Sequence, residues 1–112
     1  MARTPLTAQL IVSSGLKPTY GAANADGHTM ANDGKKDTFM VKNGGGVSTS
    51  VTVPTTVAID GLAVEDRVVA IPAGEERVIG GLNPAYYNNA DGTVNIDITP
   101  TASVTIAYLR TP

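Results

Sequence analysis

Asn-Ala-Asp-Gly occurs twice, at Asn24 to Gly27 and at Asn89 to Gly92. Closely spaced Asn, Asp and Gly are what calcium loops are made from, because a hard cation takes several oxygens and the chain must bend tightly around it. With Gly27 as the invariant glycine of an EF-hand loop, Asn24 and Asp26 fall on ligand positions and Asp33 closes the loop, but the first ligand position falls on Ala22. With Gly92 in that role the first position is Tyr87 and the last is Ile98, neither of which supplies a carboxylate. Neither copy is flanked by an apolar pattern of period 3.6. Asp-Gly is instead a preferred centre of tight hairpin turns, since both residues tolerate positive φ. Both copies are therefore expected to be turns without metal.

His28 is the only histidine, so imidazole pairs are excluded as metal ligands and any Ser, His and Asp triad must centre on it. It follows the first Asn-Ala-Asp-Gly in a run of small polar residues, which predicts a solvated loop or early-strand position. Asp60, Glu65, Asp66, Glu75 and Glu76 fall at turns or strand ends, where carboxylates serve solubility; a glycosidase pair must project into one cleft. Gly44 to Gly46 lead into Val47 and a strand pattern, and so lack the helix N-terminus that a phosphate site uses. No catalytic residue, metal or cofactor is expected. Tyr86 and Tyr87 are candidates for binding, because an exposed tyrosine ring is a rigid amphipathic platform on which a sugar can stack. On an extended chain only one of two neighbours faces a ligand. The plainer reading has one tyrosine plugging the end of the core and the other on the surface.

The elements that must position these residues are strands. Phe39 and Val41 alternate with Thr38, Met40 and Lys42; Thr49, Val51 and Val53 with Ser48, Ser50 and Thr52; Val94, Ile96 and Ile98 with Asn95 and Asp97; Val104, Ile106 and Tyr108 with Thr105 and Ala107. Period 2 marks half-buried strands. Val69 and Ile71 extend the predicted inward set. Turn signals separate the strands at Asn43 to Gly46, Ile59 to Gly61, Ile71 to Glu76, Asn83 to Gly92 and Thr99 to Ser103. Many short strands with such breaks predict an all-β fold, an antiparallel β-sandwich or jelly roll of about eight short strands. Asn83 to Ala90 can hold one helical turn with Pro84 at its first position.

With 112 residues the chain is one domain by length. Hydrophobic residues make up 42% of it, yet many are alanine, one is phenylalanine and none is tryptophan. A core of small aliphatic side chains, at about 25 cal/mol per Å² of apolar area buried, leaves a narrow margin over chain entropy and favours association with partner subunits. The absence of cysteine excludes disulfides, thiolate zinc sites and cysteine nucleophiles. The net charge of −2 and the scatter of the eight Lys and Arg offer no basic face for nucleic acid. The segment from Met1 to Gly15 is too short and too polar for a signal peptide or membrane span, so the chain is expected to begin near Met1 and stay soluble, without a membrane partner. Residues 1–14 form an extended N-terminal arm ahead of a β-sandwich domain at 15–112. Leu6, Leu10, Ile11 and Val12 need cover, either as an edge strand of the chain's own sheet or by pairing with a neighbouring subunit.

From about residue 20 to 110 the chain resembles small virion proteins encoded near the major capsid gene of tailed bacteriophages. The likeness lies in the order of features: a strand ending at Asn43 and Gly44, a Val and Thr strand from Val51 to Pro54, a Pro72 to Gly74 turn, a strand running through Ile79 to Leu82, the aromatic loop of Tyr86 and Tyr87, and Asp91 and Gly92 as a hairpin joining the last two strands. The group often carries an aromatic residue and proline after the glycine, where this chain has Gly81, Leu82, Asn83 and Pro84. The resemblance implies a head decoration, or cement, protein that binds the outer surface of the assembled head and stabilises it, with the major capsid protein as partner and a homotrimer or other self-association on the shell. The alternatives are a carbohydrate-binding surface module of a virion and a head-to-tail connector or tail structural protein.

The failed ligand spacing makes calcium irrelevant to folding. The melting temperature is expected to be unchanged by calcium in excess followed by chelator; a rise with calcium, reversed by chelator, would show a site present only in the folded state.

Overall fold

The alternating segments form strands whose inward positions match the sequence pattern. The computed structural model describes residues 3–56, 58–63 and 65–111, with the backbone alone at 58, 59 and 63. Residues 1 and 2, and with them the expected start of the mature chain, lie outside the described residues. Among the described residues seven strands form the body: β4 (His28–Ala31), β5 (Asp37–Asn43), β6 (Thr49–Val53), β9 (Arg67–Ile71), β10 (Glu76–Gly80), β11 (Thr93–Thr99) and β12 (Val104–Arg110). Five two-residue strands complete the edges and one hairpin: β1 (Thr4–Pro5), β2 (Gln9–Leu10), β3 (Gly21–Ala22), β7 (Ala58–Ile59) and β8 (Leu62–Ala63). One helical turn, α1 (Pro84–Tyr87), precedes β11.

Two mixed sheets of five strands face each other, the first in the order β1-β4-β11-β6-β9 and the second in the order β10-β5-β12-β2, with β3 also on β12. Pairing within the body is antiparallel, and the two arm strands add in parallel, β1 to β4 and β2 to β12. The order of the strands makes the chain change sheets between β4 and β5, β5 and β6, β9 and β10, β10 and β11, and β11 and β12. The sequence placed tight hairpins at the Asp-Gly words. The structure realises that chemistry at Asp60 and Gly61, both at positive φ, in the turn between β7 and β8. The Asn24 to Gly27 turn leads from the second sheet into the first. Asp91 and Gly92 do not join the last two strands as the resemblance implied. They lie between α1 and β11, where the Gly92 N–H donates to Asn89 and the Asn89 N–H to Thr93. β11 and β12 belong to different sheets, so no hairpin can close between them.

Phe39, Val41, Val51, Val53, Ile71, Val94, Ile96, Ile98, Val104 and Ile106 are all buried in one cluster, and Val69 is half-buried against it. Met30, Ile79, Leu82, Tyr87 and Tyr108 complete the cluster. On β12 burial is continuous from Ile106 to Leu109, including the outward Ala107, where the arm and residues 19–22 lie against the strand. Tyr20 lies over the outer face of the second sheet, its hydroxyl donating to Met40 and its ring 4.7 Å from the Lys42 ammonium.

The register assigns opposite roles to neighbours on β11. Ile96 is fully buried and Asn95 half-exposed. Ile96→Ala is expected to cost about 2 to 4 kcal/mol, and Asn95→Ala, which removes one hydrogen bond to Asn89, about 1 kcal/mol or less. Urea denaturation of the two variants checks this; equal losses would contradict the register.

Candidate functional site

Two clefts, which differ in chemistry, carry Leu6 and His28 in one and Tyr86 and Tyr87 in the other, whereas Leu10, Ile11 and Val12 line neither. The first, about 370 Å³, lies beneath the N-terminal arm, lined by Thr4 to Thr7, Gln9, Gly21, Ala22, His28 and the β12 residues Ile106 to Tyr108, among others. The arm is stitched to its own domain by backbone bonds from Thr4 to Gly27, Leu6 to Thr29 and Ile11 to Arg110. Arg3 clamps its start with two bonds to Asp97, at 2.7 and 3.2 Å. Gly27 suits this turn because its φ of 90° disfavours other residues, and an added Cβ would also crowd the Ile96 carbonyl oxygen at 3.0 Å. In the single chain, therefore, the arm follows the edge-strand reading.

His28 is the first residue of β4, as an early-strand histidine, but it is buried, not solvated. Its Nε2 accepts from the Asn24 N–H at 2.9 Å and its Nδ1 lies 3.2 Å from the Thr4 carbonyl. The pair of contacts fits a neutral ring protonated at Nδ1. Burial is the main cause that holds its pKa below the ordinary value, reinforced by nearby Arg3 and opposed by the Thr4 carbonyl. Gln9 bonds both ways to the backbone of Thr19, the Thr4 hydroxyl accepts from Asn24, and the Tyr108 hydroxyl donates to Asp37. Burial, followed by that bond to Asp37, pushes the Tyr108 hydroxyl up to about 12. The polar side chains of His28, Gln9, Thr4 and Tyr108 at this cleft are thus already partnered, which leaves an apolar surface. Leu6 is half-buried against the core, whereas Leu10, Ile11 and Val12 are 52%, 37% and 43% exposed just beyond the cleft.

The second cleft, about 430 Å³, is an open groove lined by Glu65, Asp66, Arg67, Gly81, Asn83, Tyr86 and Tyr87. Asn83 builds one wall: its side chain accepts from the Ala85 N–H and caps α1, with Pro84 at the first helical position. The helical turn removes the strict opposition of neighbours expected of an extended chain, so both tyrosines reach the groove. Tyr87 is buried and Tyr86 half-buried against the core. The loop is fastened from behind. Asn32 donates to Leu82 and Asn88 and receives a bond from Asn88 in return, while the Thr56 N–H donates to the Tyr86 carbonyl. Gly34 permits close passage of Pro84, whose ring carbons would otherwise meet a Cβ at 2.7 Å. The opposite wall is the start of β9, drawn in where Asp66 accepts from the Thr55 N–H.

Glu65, Asp66, Arg67 and Asn83 are the groove residues that sequence reasoning missed. They lie in two segments some distance apart in the chain, and the signal that joins them, the Thr55 to Asp66 closure and the Thr56 to Tyr86 bond, is tertiary. Among the described residues no three His, Cys, Asp or Glu lie together as metal ligands would, and no helix is long and apolar enough to cross a membrane.

His28 is expected to make the stability of the arm depend on pH. Its folded pKa lies below the ordinary 6.5, so below 6.5 the unfolded chain takes up a proton that the folded chain refuses; stability is full above that pH and falls as the pH drops through it. Protonation also replaces the Nε2 acceptor facing the Asn24 N–H with a donor. Wild-type stability, measured by urea denaturation, is expected to fall between about pH 7 and pH 5, with early loss of hydrogen-exchange protection at Leu6, and this slope is expected to vanish in His28→Gln.

Comparison with protein-family models, with curated proteins and with solved structures returned no match.

Proposed function

We propose that this chain is a structural binding protein of a tailed-phage virion, docking on the outer surface of the assembled head and bracing it, with the major capsid protein as its partner. The observation that carries this reading is the Leu10, Ile11 and Val12 tract: three consecutive aliphatic side chains, each more than a third exposed, held in a fixed place by the pairing of β2 with β12. Large aliphatic residues grouped on a surface favour burial against another protein. Leu62, on the β7–β8 hairpin, is 72% exposed, and this hairpin pairs with no further strand among the described residues. An isolated two-stranded hairpin is marginal in water, and a partner surface would steady it. Binding to an assembled lattice also adds stability by mass action to a domain whose own core is small.

The arm's stitching makes truncation ambiguous. Removing residues 2–12 would take Leu6 from the core and uncover His28, so loss of binding by such a truncation would not isolate the contact. Ile11→Ser with Val12→Ser alters only exposed side chains and preserves the backbone bond from Ile11 to Arg110. The double variant is expected to keep the wild-type melting temperature and to lose at least about tenfold in affinity for emptied heads in co-sedimentation, equivalent to about 1.4 kcal/mol. Wild-type binding by the double variant would remove the tract from the contact, and no binding of the unaltered protein to any assembled head would discard the role.

A further inference from the structure

We propose that the groove between the start of β9 and α1 binds a neutral saccharide. This second binding function is separate from head docking.

The groove presents polar groups that the fold leaves unused. Glu65 and the Arg67 guanidinium have no side-chain partner among the described residues. Asp66 commits Oδ1 to Thr55 and leaves Oδ2 open, and Asn83 commits Oδ1 to the helix cap and leaves its Nδ2. Neither tyrosine hydroxyl has a partner among the described residues. No described side-chain polar atom is both buried and unpartnered, so the Tyr87 hydroxyl must meet solvent although the residue as a whole is only 8% exposed. Tyr87 is one of the residues that line the groove.

The resulting set holds acceptors in Glu65 and Asp66, donors in Arg67 and Asn83, and two hydroxyls that do both. A neutral polyhydroxylated ligand uses all three kinds, because each sugar hydroxyl donates and accepts. An anion would face two carboxylates against one guanidinium. An apolar ligand would strand every one of these groups, at a desolvation penalty for each. The volume of about 430 Å³ lies within the ~300–1,000 Å³ of small-molecule sites, and Tyr86 adds an aromatic surface for the C–H face of a pyranose ring. Rigidity favours the same reading: the Asn83 cap, the Asn32 and Asn88 pair and the Thr56 bond fix the α1 wall before any ligand arrives, so the backbone of that wall need not be ordered on binding.

The isolated protein suffices for the test, so its outcome is independent of docking on heads. A glycan array carrying neutral, acidic and amino-sugar pyranoses identifies bound oligosaccharides, and NMR titration with the best neutral one reads the amides of Gly81, Asn83 and Tyr86. Tyr86→Ala, Glu65→Gln and Arg67→Ala are each expected to weaken binding about tenfold. Val47→Ser, in the turn at the opposite end of β6, is expected to leave it unchanged. Glu65 and Arg67 are exposed, so their variants separate lost contacts from lost folding, and Tyr86→Phe, which keeps the stacking ring, is expected to retain most of the affinity. No neutral glycan bound across the array, binding that all three groove variants leave intact, or groove shifts produced by acidic or basic peptides in place of sugars would each overturn the proposal.

Discussion

Asn43 ends β5 with its side chain buried, where it donates to the carbonyls of Val47 and Ile71 and accepts from the Gly45 N–H. That one amide holds the turn into β6 and the end of β9 against the second sheet. The same device recurs wherever the chain changes sheets. Asn32 fastens the 82–88 loop, and Asp37 gathers the Tyr108 hydroxyl, the Arg110 guanidinium and the Asp33 N–H. Thr49 donates to Pro100 between β11 and β12, and His28 holds the arm and the 24–27 turn. These are the buried polar residues among those described, and each is bonded to a segment outside its own strand. A core dominated by Val and Ile grips its loops weakly by apolar burial, so directional bonds at the strand ends fix the crossings. Inside a low-dielectric core such bonds are strong when made and expensive when broken.

The strands were legible because a half-buried strand writes its register into the sequence as period 2. β5, β6 and β11 bury the side chains that alternation selects. β4 was hidden, since His28 and Met30 occupy its inward positions amid small polar residues. Turn chemistry marked where the chain bends without indicating what the bend joins. Asp-Gly at positive φ serves a hairpin at Asp60 and Gly61, yet a loop before β11 at Asp91 and Gly92. Strand partners here are mostly distant in sequence, and local dihedral preference carries no information about them. The burial of His28 was likewise invisible, because the Thr4 carbonyl that satisfies it arrives from the far side of a long loop.

The two clefts divide the surface by what the fold has left unpaired. Beneath the arm, the main polar side chains of the wall are satisfied internally, and what extends beyond it is aliphatic: Leu10, Ile11 and Val12. Such a surface suits protein contact. At α1 the core is closed by Tyr87 while hydroxyls, carboxylates and a guanidinium remain available around it. Tyr86 and Tyr87 thus combine the two readings made of them, as end plug of the core and as the wall of a polar site. The acidic residues at 65 and 66, which look like solubilising charges in the sequence, enter the proposed site because Asp66 is bonded to Thr55 and both acidic residues line the groove with Tyr86 and Tyr87.

Head docking is the central functional claim, and it concerns a surface that exists when many capsid subunits are assembled together. Electron cryomicroscopy of emptied tailed-phage heads incubated with the purified protein tests it most directly. The account predicts added density on the outer face at every equivalent position of the lattice, with the Leu10 to Val12 end of the arm against the shell. Density confined to the tail vertex, or shells indistinguishable from those without the protein, would contradict it.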